Sequence, residues 1–251
     1  MNKYRFLFLL LVLPISLFSE FLTFLDDEKK LEPFYEYDNI LLIASTGRSG
    51  STLLNDSLCK YARNYHIVKT HILPPNKKYQ GKIIFIFSNP DKAAESTLHL
   101  SIQNEWWGTH HFYHVKSSDH NWLLKIESTT KQTLEDNLLA YDALGCRTHL
   151  VEWLYLTTPS AQENAQILAI KYENLWDSQT IDAIKTFLKI DDFALPVQNT
   201  RGCKLEELDA REILFRQTYN LGTEEDPIYQ AYDLAREIWK KAPAVQYLNL
   251  S

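Results

Sequence analysis

The chain has 251 residues, 45% of them hydrophobic and 23% charged, enough for one globular domain with a substantial core. A net charge of −6 lacks the basic surplus of a nucleic-acid binder, so no nucleic-acid partner is expected. The 3 cysteines, Cys59, Cys146 and Cys203, are odd in number and lie far apart without CxxC spacing, which argues against a disulfide framework and a cysteine metal site.

The N-terminus departs from globular composition. Lys3 and Arg5 precede the apolar run FLFLLLVLPISLF, residues 6–18, and Ser19-Glu20 follow. A charged start, a short apolar core and a small residue form a signal-peptide pattern. The run falls short of the roughly 20 apolar residues of a membrane span. Counting FLTFL as well gives a poor anchor, with basic residues before it and DDEKK after it. Residues 1–33 are therefore expected to be a signal peptide or membrane anchor plus linker, and residues 34–251 the domain. This places the domain in the secretory pathway or at a membrane through residues 6–18. The alternative is an N-terminal helix packed on a cytoplasmic domain.

NILLIA, residues 39–44, reads as a buried strand: short, apolar and followed by turn residues. Residues 52–63 read as a helix. HIVKTH, 66–71, and KIIFIF, 82–87, read as two more strands. Asn89-Pro90 ends the third, and Pro90 suits the first turn of a helix continued by DKAAESTLHL. Residues 105–160 read as helical around a polar loop rich in His and Trp. QILAIKY, 166–172, reads as a strand, IDAIKTFLKI, 181–190, as a helix, and AYDLAREIWKKA as a C-terminal helix. Apolar strands alternating with helices predict an α/β fold: a three-layer, mostly parallel sheet with helices on both faces.

Ligands of such sheets bind at the carboxyl ends of the strands. The loop after the first strand, within IASTGRSGSTL, stands at such an end. Gly47 and Gly50 allow close backbone approach to an anion, and the following helix offers N–H groups and a positive dipole. Arg48 adds a forked cation, and Ser51 and Thr52 add hydroxyl donors. The ATP-binding loop is spelled GxxxxGK[ST]. Aligned on Gly50, its first glycine falls on Ser45 and its lysine on Ser51. The cation here precedes the glycine instead. Ser88, at the end of KIIFIF, offers no carboxylate for magnesium. A magnesium-dependent kinase is the weaker reading.

Arg48-Ser49-Gly50-Ser51-Thr52 resembles the 5′-phosphosulfate loop, [K/R]-S-G-[S/T]-T, of the sulfotransferases, whose donor is 3′-phosphoadenosine 5′-phosphosulfate (PAPS). Lys69-Thr70-His71, with Pro74 behind it, is similar to that family's K-[S/T]-H-x-P stretch. There the histidine is the general base and the lysine contacts the transferring group. KIIFIFSNPDKAAES resembles the 3′-phosphate signature, with Asn89, Pro90 and Ser96 matching and Ser88 standing where the family has arginine. His149 and Trp153 are similar to its H-x-x-x-W helix. Tyr172, in Tyr172-Glu173-Asn174-Leu175, resembles the tyrosine near the adenine. Arg201-Gly202 resembles the C-terminal R-x-G loop. These landmarks keep the family's order over about 40–205.

The resemblance implies the P-loop-like sulfotransferase fold, PAPS as donor without a required metal, and a small-molecule or glycan acceptor offering a hydroxyl or amine. It implies catalytic roles for His71, Lys69 and Arg48. It implies donor contacts from Gly47, Arg48, Ser49, Gly50, Ser51, Thr52, Ser96, Tyr172, Arg201 and Gly202. Ser88 leaves the 3′-phosphate short of a cation, which Arg201, Lys204 or Lys92 could replace. The rival reading is a nucleotide-binding protein on the same fold with impaired catalysis. Trp106, Trp107, His110, His111, Phe112, His114 and His120 form an aromatic and histidine cluster that reads as an acceptor lid or a solvated loop; its spacing makes no compelling zinc site. The sequon at Asn55-Asp56-Ser57 falls inside a helix. Oligomeric state is not written in the sequence.

Overall fold

The structure is a computed structural model. It describes residues 31–75, 78–103, 139–140, 142–197, 210–218, 220–221, 223 and 225–250. The apolar N-terminal run, the Trp106–His120 cluster, Cys203, Lys204 and the Arg201-Gly202 pair lie outside the described residues.

Six strands form one sheet in the order β2-β1-β3-β5-β6-β4. They are β1 (Ile40–Ser45), β2 (His66–Thr70), β3 (Lys82–Phe87), β4 (Thr158–Pro159), β5 (Ile167–Lys171) and β6 (Val245–Asn249). The four strands β2, β1, β3 and β5 run parallel, and β6 and β4 add two antiparallel rungs at one side. All six residues of β1 are buried, as expected of a strand covered on both faces.

The strand period of two divides the core. Ile83, Phe85 and Phe87 of β3 join Leu42, Ala44 and Val68 in one apolar cluster. Ile84 and Ile86 join Leu41 and Ile43 in the other. Helices α1 (Ser51–Tyr61) and α4 (Ser178–Leu188) cover the second face through Leu54, Leu58, Ile184, Phe187 and Leu188. The first face takes α2 (Pro90–Gln103), α3 (Cys146–Leu154), α6 (Pro227–Ala231) and α7 (Asp233–Lys241), with α5 (Ala210–Thr218) contacting α2. The three-layer, mostly parallel α/β fold expected from the sequence is present.

Trp153 ties α3 to the sheet. Its ring is fully buried, stacks on Phe85 at 5.1 Å, and donates its Nε1 hydrogen to the Ile72 carbonyl at 3.3 Å. Emptying such a site costs about 3–5 kcal/mol. His149, also fully buried, stands one turn earlier on α3.

Three parts differ from the sequence reading. The C-terminal helix expected over AYDLAREIWKKA is present as α7, but a separate short helix, α6, precedes it, with the break at Tyr232, whose side chain is fully buried. Strand β4 falls at the end of the stretch read as helical. Strand β6 was not foreseen. VQYLN is short and mixed in polarity, and it becomes a strand only by pairing with β5 from Ile167↔Leu248 to Ile170↔Val245.

Candidate functional site

The carboxyl ends of β1, β2, β3 and β5 converge on the loop Thr46–Gly50. Gly47, Arg48 and Gly50 all have left-handed backbone, at φ 77°, 50° and 79°. Left-handed turns of this kind build the concave amide nests that hold anions. At Gly50 the choice of residue is forced twice, by the positive φ and by the Tyr172 ring, into which an added Cβ would run. Tyr172 opens the short 3-10 turn after β5, so it forms a wall of the loop.

Helix α1 starts at Ser51 with Gly50 as N-cap, which has no side chain to cap it. Its first amides thus lack the usual Ser, Asp or Asn acceptor. Cationic side chains stand nearby. Lys69 Nζ donates to Thr52 Oγ1 at 2.9 Å. Arg48 Nε donates to Ser96 Oγ on α2, also at 2.9 Å. The Ser49 hydroxyl donates to the Ile86 carbonyl at 3.0 Å, which fastens the loop to β3. Ser49 therefore serves the loop through its backbone, its hydroxyl being used internally.

His71 follows β2 directly and is buried. Its Nδ1 lies 2.9 Å from the Ser45 hydroxyl and 2.9 Å from the Ser45 carbonyl oxygen. Lys69 and His71 thus reach the loop at opposite ends, one at Thr52 and the other at Ser45.

Three buried polar side chains near this end of the sheet have no hydrogen-bond partner among the described residues: Thr46, Ser88 and His149. Each follows or faces a carboxyl strand end. Burial pushes the His149 imidazole down to about 3, with the charge of His71 a second, smaller cause. His149 is therefore neutral at any physiological pH and electrostatically coupled to His71.

Residues implied by the family resemblance are brought together with one reservation. Gly47, Arg48, Ser49, Gly50, Ser51, Thr52, Lys69, His71, Ser96 and Tyr172 form one constellation. Arg201 and Gly202 lie outside the described residues. Among the described residues no group of His, Cys, Asp and Glu is arranged to hold a metal. Cys59 and Cys146 are free thiols, the first exposed and the second buried.

Two contacts at this end of the sheet were not legible in the sequence. Ser45 as partner of His71 carried no motif. Glu173 was read only as part of a motif. Its carboxylate accepts the Asn89 amide at 2.6 Å and the Trp239 indole N–H at 3.3 Å, joining β5, the start of α2 and α7.

No family model matches the sequence. No curated protein matches it either. Among solved structures, the mouse sulfotransferase SULT7A1 complexed with PAP is similar at 14% identity, with 86% of this chain and 95% of that chain covered and a TM-score of 0.44. The likeness is distant, and the chemistry of the site rests on its own residues.

Proposed function

We propose that the protein transfers a sulfuryl group from PAPS to a hydroxyl or amine of a small-molecule or glycan acceptor. One observation carries this reading: Lys69 and His71, two residues apart at the end of β2, reach Thr52 and Ser45 at the two ends of the loop that carries Arg48, at the head of a helix whose N-cap is a glycine.

In this reading the loop amides and Arg48 hold the 5′-phosphate. The acceptor oxygen attacks sulfur, a new O–S bond forms, and the bond from sulfur to the bridging phosphate oxygen breaks. Charge develops on that oxygen, where Arg48 and Lys69 stabilise it. The acceptor proton passes to His71, and 3′-phosphoadenosine 5′-phosphate (PAP) leaves. A sulfuryl group carries less negative charge than a phosphoryl group, so the chemistry asks less of a divalent cation. Tyr172 is assigned to the adenine, and Arg201 and Gly202 to the 3′-phosphate. The segment 6–18 directs the domain to the secretory lumen or its membrane, a compartment that must then be supplied with PAPS.

Ser88 favours a second reading. Its hydroxyl is buried, neutral and without a partner among the described residues, where a cation would serve a 3′-phosphate. On that ground the rival is a nucleotide-binding protein with impaired catalysis.

Calorimetry with PAP in the absence of magnesium tests both readings. Micromolar or tighter binding is expected. Binding of ATP that depends on magnesium, with none of PAP, would support a kinase instead. His71→Ala should lower transfer on the order of 10²–10⁴-fold while PAP affinity holds. Binding of PAP without turnover in the wild type would favour the impaired protein.

A further inference from the structure

We propose that Ser45 is a positioning residue for His71: its carbonyl keeps the ring proton on Nδ1, and its hydroxyl holds the same N–H from a second side. The inference rests on the reading of His71 as the general base.

The paired rungs of β1 and β2 end at Ala44↔Thr70. His71 is the next residue of its segment and Ser45 the next of β1. Beyond the last rung, the His71 side chain takes over, bringing Nδ1 to 2.9 Å from the Ser45 carbonyl oxygen. A carbonyl oxygen has no proton to give. A hydrogen bond there requires the proton on Nδ1. With the proton on Nε2 instead, two lone pairs would face each other at that distance. Ser45 is fully buried and His71 is 5% exposed, so water does not relieve that repulsion.

The Ser45 hydroxyl stands equally near, at 2.9 Å from Nδ1. Taken alone it could act in either direction, because a hydroxyl donates and accepts. The carbonyl decides between them. With Nδ1 protonated, the hydroxyl oxygen accepts, and one N–H is held by two oxygens of one residue. The neutral ring then carries its lone pair on Nε2, the nitrogen directed away from Ser45. This is the atom that takes the acceptor proton. Once it has done so, both Ser45 oxygens face an imidazolium, and their hydrogen bonds become charge-assisted. Nothing has to reorient between the resting and the protonated ring. Neither ring nitrogen of the neighbouring His149 makes a hydrogen bond among the described residues, so it does not compete for the His71 ring.

The experiment is two-bond ¹H–¹⁵N correlation on the full chain labelled at histidine, with His71→Gln assigning the His71 signals. The wild type should show a pyrrole-type Nδ1 and a pyridine-type Nε2 for the neutral His71 ring. A proton on Nε2 overturns the proposal and leaves the donor reading standing if PAP still binds. If PAP does not bind, the donor reading fails while the spectrum still decides the tautomer. Ser45→Ala keeps the carbonyl, so the Nδ1–H form should persist, while kcat falls about 3–10-fold from the loss of one hydrogen bond. KM for the donor and PAP affinity should stay within about twofold, since the loop itself is intact. Ser45→Thr should restore kcat. An unchanged kcat in Ser45→Ala overturns the part assigned to the hydroxyl.

Discussion

Two helices begin side by side at the carboxyl edge of the sheet, and their beginnings are built in opposite ways. α1 follows β1 and α2 follows β3, the neighbouring parallel strand. At α2 the chain satisfies itself. Pro90 has no amide hydrogen, Asn89 Oδ1 accepts the Asp91 amide at 2.9 Å, and Glu173 accepts the Asn89 amide. At α1 the N-cap is a left-handed glycine with no side-chain oxygen, and cationic side chains flank it. The same position in the fold thus yields one terminus capped by its own side chains and one whose N-cap offers no side chain; the proposed donor site is built on the second.

Arg48→Ala should separate the two ends most sharply. Removing a charge-assisted donor beside a phosphate costs about 1.5–3 kcal/mol, so PAP should bind roughly 10- to 100-fold more weakly. Thermal stability should change little, because Arg48 is exposed. Equal PAP affinity in the variant would remove Arg48 from the site and erase the contrast between the helices.

The contrast extends to the buried imidazoles, His71 held by Ser45 and His149 held by nothing described. His149 has a folded-state pKa of about 3, against about 6.5 when unfolded. Between those values the unfolded chain binds one more proton than the folded one. Its contribution to stability is therefore complete above pH 6.5 and declines as pH falls toward 3, by about 1.4 kcal/mol per pH unit at most. Over pH 6.5 to 5 that is about 2 kcal/mol. Urea unfolding across this range should show a shallower acid limb in His149→Leu than in the wild type. Parallel limbs would mean that His149 finds a partner or solvent in the folded protein.

Gly50→Ala acts on the open terminus through the backbone. A non-glycine residue in left-handed conformation costs about 1–2 kcal/mol, before the Tyr172 ring is displaced. Loss of stability and loss of PAP binding should appear together. Tyr172→Ala in the same chain should return part of the stability, because the ring no longer opposes the Cβ. A double variant no more stable than Gly50→Ala would show that φ alone sets the cost.

The open terminus was legible in the sequence and the closed one only half so. Apolar runs of strand length marked β1, β2, β3 and β5, and small residues between β1 and α1 marked the loop. Pro90 marked the start of α2. These are local signals, carried within a few residues. The acceptor that completes the closed end, Glu173, lies 84 positions from Asn89, and Ser45 lies 26 from His71. Contacts of that separation leave no trace in periodicity. The orphaned hydroxyls of Thr46 and Ser88 are of the same kind, since burial without a partner is a property of the packed sheet. β6 was missed because its five residues are held by a neighbour strand rather than by their own apolarity.

The smallest effect is expected where the closed terminus is opened. Asn89→Ala removes the acceptor of the Asp91 amide and should cost about 1 kcal/mol of stability, the usual worth of such a cap. Glu173 remains on the Asn89 amide, so the terminus is only half released. If the two helix starts differ as described, PAP affinity should stay within about twofold, because the cap serves the fold and not the ligand. Urea unfolding and calorimetry on one preparation read the two quantities apart. A large loss of PAP binding with unchanged stability would reverse the assignment and make the start of α2 part of the ligand site.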